Sequence, residues 1–149
     1  MVLTTEYKPE YRDQVLELVQ QFEAESFGEF GLGINPELFD QMIDSQKDSS
    51  FLLLIDGKLE GLLAGYSTKA PCIKDGLVWQ ETVWFVSKKY RNSRYGLQLF
   101  KMASEALKQR GITAMLMAHL HNETGEKLGK LYDRLGFKPL ETHYIRRLQ

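Results

Sequence analysis

VWFVSKKYRNSRYGLQLFKMASEALKQRG, from Val83 to Gly111, decides how the rest of the chain reads. Val83 to Val86 is an apolar run of β-branched and aromatic residues, the pattern of a strand, whereas Leu97, Phe100, Ala103 and Leu107 recur at helical spacing. The polar, basic stretch Ser87 to Tyr95 lies between them, so the order is strand, loop, helix. A helix that opens at Gly96 leaves its first N–H groups without intrahelical partners and carries a partial positive charge there. Arg91 and Arg94 bring two permanently charged forks to the same place, and Gly96 lets a ligand come close to the backbone. The stretch is therefore a candidate phosphate site.

Arg91, Arg94 and Gly96 resemble the pyrophosphate loop of the GNAT superfamily of N-acetyltransferases: Arg or Gln, two residues, Gly, any residue, then Gly or Ala. Arg94 departs from that pattern, standing where the family usually has glycine, so its backbone is either right-handed or part of a reshaped loop. Downstream, Leu131-Tyr132-Asp133-Arg134-Leu135-Gly136-Phe137 is similar to the family's Leu-Tyr-x-x-x-Gly-Phe segment. The two motifs stand in the family's order and cover the second half of the chain.

The remaining elements read outward from this centre. Val2 to Glu6 is a short strand, and Lys8-Pro9 opens a helix with Tyr11, Val15, Leu18 and Phe22 on one face, ending near Ser26. Asn35-Pro36-Glu37 caps and starts a second helix bearing Leu38, Phe39, Met42 and Ile43. Phe51 to Ile55, the Asp56-Gly57 turn and Lys58 to Tyr66 make a hairpin, in which Gly61 and Gly65 suggest a bulge or twist. Leu77 to Val86 is the strand that feeds the basic loop. After the helix from Gly96 to Gly111 come a strand over Ile112 to Leu120 and a helix capped by Asn122 or Thr124. Phe137 to Leu140 and Thr142 to Leu148 read as closing strands. The expected fold is α/β: a mixed twisted sheet of about six to seven strands flanked by about four helices, the element order of the GNAT fold.

At 149 residues the chain has the size of one domain, read here as 1–149. Net charge of −1 provides no bulk attraction to nucleic acid or anionic lipid, and the basic patch of Lys88, Lys89, Arg91 and Arg94 suits a phosphate-bearing cofactor better than nucleic acid. The apolar runs are too short to span a bilayer, and the N-terminal residues lack the layout of a secretion signal, so no membrane association and a cytoplasmic location are expected. The single Cys72 has no internal partner and reads as an incidental loop thiol.

The resemblance implies transfer of an acetyl group from acetyl-CoA to an amine by direct attack, without an acyl-enzyme. Cofactor contacts would come from Arg91, Asn92, Ser93, Arg94, Tyr95, Gly96 and Leu97 for the pyrophosphate. The backbone of Trp84, Phe85 and Val86 would pair with the pantetheine arm, where this strand splays from the next. Tyr132 takes the position of the family's general acid, although its helical periodicity also suits a core tyrosine. The family's frequent asparagine seven residues earlier is replaced by Gly125, so Asn122 is not assigned that role. For the base, Glu81 is a candidate because a carboxylate among Trp79, Trp84 and apolar neighbours has its pKa raised. It also suits an edge charge facing water, and His119, His121 or water remain open. No metal site is expected, since cysteines and carboxylates at ligand spacing do not accompany the two histidines.

The acceptor is a small-molecule or peptide amine of unread identity. Glu25, Glu29 and Glu37 hint at a cationic one, and helix ends explain them equally well. Phe27 and Phe30 either pack on the helices or cover an acceptor pocket. A homodimer stays open, and a noncatalytic acyl-CoA-binding module is the alternative function.

Overall fold

The Asp56-Gly57 dipeptide turns the chain where the sequence requires it, with φ of 51° at Asp56 and 80° at Gly57, the left-handed pair that a tight hairpin needs. It joins β2 (Phe51–Ile55) to β3 (Lys58–Thr68) in this computed structural model, which describes residues 1–27 and 35–149. Around that hairpin the sheet runs β1 (Val2–Glu6), β2, β3, β4 (Leu77–Val86), β5 (Ile112–Leu116). The first four strands are antiparallel neighbours, and β5 lies parallel to β4.

Two faces of the sheet are covered by amphipathic helices. From α1 (Arg12–Phe27), Val15, Leu18 and Val19 meet Leu52, Leu54, Leu62, Ala64, Val83 and Phe85, and Ile43 joins them from α2 (Pro36–Gln46). Asn35 caps α2 by accepting the Leu38 N–H at 3.2 Å. Alternation then sends Phe51, Leu53 and Leu63 to the opposite side, where α3 (Tyr95–Gln109) packs across β1 to β3 with Leu99, Phe100, Ala103 and Leu107 buried. Truncating one such leucine to alanine costs about 2–5 kcal/mol.

Two bulges bend the long strands. Glu60 is the extra residue of β3 between the pairs Leu53↔Gly61 and Leu54↔Leu59. Thr82 is the extra residue of β4, between Ala64↔Val83 and Gly65↔Glu81. The Thr82 hydroxyl lies 2.6 Å from Gln46 Oε1 and 3.2 Å from the Ala64 carbonyl. A side chain at Gly65 would meet the Gln80 carbonyl at 2.3 Å and the Trp79 ring at 2.5 Å, so close approach requires glycine there.

Among the described residues the sheet has five strands, fewer than the about six to seven expected. Residues 137–149 have no regular secondary structure, and Leu140, Tyr144, Ile145 and Leu148 are exposed. Their strand-forming composition finds no ladder to join, and a lone strand is not stable in water. The strand expected over Ile112 to Leu120 also ends early, at Leu116.

The chain forms two compact units, Met1–Ala118 and His119–Gln149. The second contains α4 (Glu123–Arg134), started by Asn122, whose side chain accepts the Gly125 N–H at 2.7 Å. No helix among the described residues is long and apolar enough to cross a membrane.

Candidate active site

Strands β4 and β5 stay paired only from Leu77↔Ile112 to Gln80↔Leu116. Beyond that pair β4 continues to Val86 beside β3 alone, so the two strands part at Glu81. The Glu81 carboxylate stands in this fork and accepts the Ala118 N–H at 3.1 Å. Burial raises its pKa to about 7, and the Ala118 hydrogen bond offsets part of that rise. The Thr82 bulge interrupts the period-two alignment of Glu81 with Val83 and Phe85 that the sequence suggests. At neutral pH a carboxyl in this state is divided between acid and base forms, the condition for moving a proton.

Five residues further on, the same strand delivers the chain to the basic loop. Trp84 stacks on Phe100 of α3, with centroids 5.6 Å apart, and Phe85 turns into the core. Successive turns follow: Tyr90 N–H to Ser87 carbonyl at 2.8 Å, Ser93 N–H and Oγ to the Tyr90 carbonyl at 3.2 and 2.6 Å, and Tyr95 N–H to Ser93 Oγ at 3.2 Å. Arg94 caps α3 with an ordinary right-handed backbone (φ −77°, ψ −3°), so the departure from the family's glycine leaves a regular helix start. Its carbonyl accepts the Gln98 N–H at 3.0 Å, and its side chain does not cap the helix. Among the described residues nothing takes the N–H groups of Gly96 and Leu97. A Cβ on Gly96 would touch only Val86 Cγ2 at 3.5 Å, an ordinary contact, so packing does not demand glycine at that position. Free amides, the dipole of a helix of 15 residues and the exposed Asn92, Ser93 and Arg94 converge on one surface.

Arg91 is placed differently from Arg94. Its Nε donates to the Val86 carbonyl at 2.8 Å, its guanidinium meets Glu25 at 2.7 Å, and its plane lies over the Phe85 ring at 4.7 Å. It ties the end of α1 to the end of β4. Glu25 is thus paired, and Glu37 occupies the first turn of α2 as a helix-end charge. Phe27 packs edge-on against Phe22 at 5.9 Å. Glu29 and Phe30 lie outside the described residues.

Tyr132 belongs to the second unit, where it is buried at 7% exposure. Its ring lies 5.4 Å from Phe137 and 6.4 Å from His119. Gly125 and Gly129 fall one turn apart on α4 and make room for the preceding chain. A Cβ at Gly125 would sit 1.6 Å from the Leu120 carbonyl, and one at Gly129 would sit 3.1 Å from His119 Nε2. The glycine in place of the family's asparagine is therefore a packing requirement. His119 and His121 are exposed, 5.9 Å apart between rings. No group of three metal-ligating side chains occurs among the described residues.

Local sequence contained no signal for the Glu81 partner, because a backbone N–H has no residue type. The Arg91–Glu25 pair spans most of the first unit and was equally hidden.

A model of the acetyltransferase (GNAT) family matches residues 12–137. The chain belongs to the GNAT family. Solved GNAT-like structures match it end to end. One is a putative acetyl transferase from Pyrococcus furiosus, at TM-score 0.79 and 17% identity, covering 99% of this chain and 100% of that one. Another is an aminoglycoside acetyltransferase from an uncultured soil metagenomic sample, at 0.74 and 18%, covering 100% and 99%. A third is glucosamine-6-phosphate N-acetyltransferase from Arabidopsis thaliana, at 0.71 and 13%, covering 100% and 99%. No curated protein matches the sequence. As a GNAT acetyltransferase the chain is an acyltransferase, and the matched residues include the strand–loop–helix from Val83 to Gly111.

Proposed function

We propose that residues 1–149 act as one catalytic domain that transfers an acetyl group from acetyl-CoA to the primary amine of a small molecule or peptide, by direct attack. The observation that carries this reading is Glu81, a half-buried carboxylate with a pKa of about 7 in the fork between β4 and β5. Acetyl-CoA supplies, as a thioester, an acyl group already activated for attack. The amides of Gly96 and Leu97, with Asn92, Ser93, Tyr95 and the guanidinium of Arg94, which has no partner among the described residues, would hold its pyrophosphate. The fit is supported by the bare Cα of Gly96, which packing does not explain. The backbone of Trp84 to Val86 would align the arm beside β4, where β5 no longer pairs.

Glu81 takes a proton from the incoming ammonium, directly or through water, so that the amine nitrogen can bond to the acyl carbon. As the carbon–sulfur bond breaks, the Tyr132 hydroxyl gives its proton to the departing sulfur, and the second proton that the nitrogen sheds as the amide forms returns to Tyr132. Arg91 serves the fold, and the pyrophosphate contact passes to Arg94. Small-molecule amines are the favoured acceptors, since two similar structures are named for aminoglycosides and glucosamine-6-phosphate. An unbridged, exposed Cys72 supports a cytoplasmic enzyme.

The test is release of free coenzyme thiol when aminoglycosides, amino sugars, polyamines and peptides are added in turn to protein and acetyl-CoA. Amine-dependent release supports transfer. Saturable acetyl-CoA binding without release from any amine would support the noncatalytic module instead.

A further inference from the structure

Glu60 is a carboxylate that the proposed chemistry does not use, yet its side chain is only 4% exposed. It is the bulged residue of β3, and a bulge re-aims a side chain out of the strand's alternation. Its carbonyl accepts the Ser87 N–H at 2.8 Å, the first bond after β4 ends. Its carboxylate meets Lys89 Nζ at 3.4 Å, while the Lys89 side chain is 62% exposed. Lys89 also lies over the Tyr90 ring at 5.1 Å, and Tyr90 meets Tyr95, the first residue of α3, edge-on at 5.9 Å. One residue of β3 thus grips the start of the basic loop twice, through backbone and side chain.

A buried charge held by one partly exposed partner is a poor source of stability. Desolvation cancels much of the attraction, and apolar replacements of such pairs are often neutral or stabilising. The pair therefore calls for a reason other than stability, and its location provides one. We propose that Glu60 is a positioning residue: through Lys89 it fixes the turns from Ser87 to Tyr95, so that the amides of Gly96 and Leu97 face the phosphates of acetyl-CoA. This rests on the coenzyme site proposed above.

The measurement is calorimetric titration of acetyl-CoA into the wild type, Glu60→Gln, Lys89→Met and the double variant Glu60→Leu/Lys89→Met, with a melting curve for each. The double variant replaces the pair by apolar side chains, leaves no buried charge without a partner and should keep the fold even where a single variant does not. A positioning role predicts that it melts at or above the wild-type temperature and binds acetyl-CoA about tenfold more weakly, a loss of 1.4 kcal/mol. Folded single variants should show the same loss, because each breaks one shared tether. Wild-type affinity in the double variant would overturn the proposal. So would weak binding in Lys89→Met alongside normal binding in Glu60→Gln, since Lys89 would then act on the phosphates by itself. A wild type that does not bind acetyl-CoA would overturn the coenzyme site first and this role with it.

Discussion

Glu81 and Ala118 meet across the fork where β4 and β5 part, the carboxylate accepting the backbone N–H at 3.1 Å. The contact follows the last rung of the β4–β5 ladder, because β4 pairs with β5 only as far as Gln80↔Leu116. The end of the β4–β5 ladder and the carboxyl with the raised pKa thus fall at the same place in the sheet.

Glu81→Gln should abolish the base while keeping an acceptor for Ala118. The turnover of the wild type should rise with pH through about 7, as Glu81 loses its proton. The variant should fall by about 10²–10⁴-fold at neutral pH and lose that rise. Amine-dependent thiol release across pH 5–9 measures both. A variant retaining the wild-type profile would assign the base to His119, His121 or water.

The same substitution should stabilise the fold at high pH. Unfolded, Glu81 is ionised above the ordinary carboxylate value of 4.5, whereas folded it keeps its proton up to about 7. The folded state therefore loses stability as pH rises between those values, and the full cost is present above 7, of the order of 3 kcal/mol at most. Glutamine removes it. Denaturant melts at pH 5 and pH 8.5 should show a gain for the variant at the higher pH only, and an equal difference at both would contradict the raised pKa.

Arg91 and Arg94 should separate cleanly. Arg91→Ala strips the Val86 carbonyl and Glu25 of their partner, so the melting temperature should fall, by about 1–3 kcal/mol of stability. Arg94→Gly restores the residue usual in the family, and stability should hold while acetyl-CoA affinity drops by about 1.5–3 kcal/mol at most. Equal loss of affinity with unchanged melting in Arg91→Ala would return Arg91 to the phosphates.

How legible each feature was depended on how local its cause is. The β2–β3 hairpin, the caps at Asn35 and Asn122 and the buried face of α3 rest on neighbouring residues, and the sequence displays them. Strand identity after Phe137 depends on a partner strand, which composition does not contain. The end of β5 at Leu116 and the pairing of Glu25 with Arg91 depend on chain brought from far away. Gly125 could be read as a departure from the family, whereas the cause, a carbonyl 1.6 Å from where its Cβ would be, is visible only in three dimensions.

Tyr132→Phe keeps the ring packed against Phe137 and His119 and removes only the hydroxyl. Acetyl-CoA binding and melting should change little while turnover falls by about 10²–10⁴-fold. Full turnover at neutral pH would leave the residue as packing.

The most direct measurement for the whole account is acetyl-CoA titrated into the wild type, Gly96→Ala and Gly96→Asp. All three should fold alike, because a Cβ at this position meets only Val86 at an ordinary distance. Saturable binding is expected in the wild type, weaker binding in Gly96→Ala through lost approach, and none in Gly96→Asp, whose carboxylate repels phosphate at the helix start. Undiminished binding by a folded Gly96→Asp protein would contradict the coenzyme site at α3.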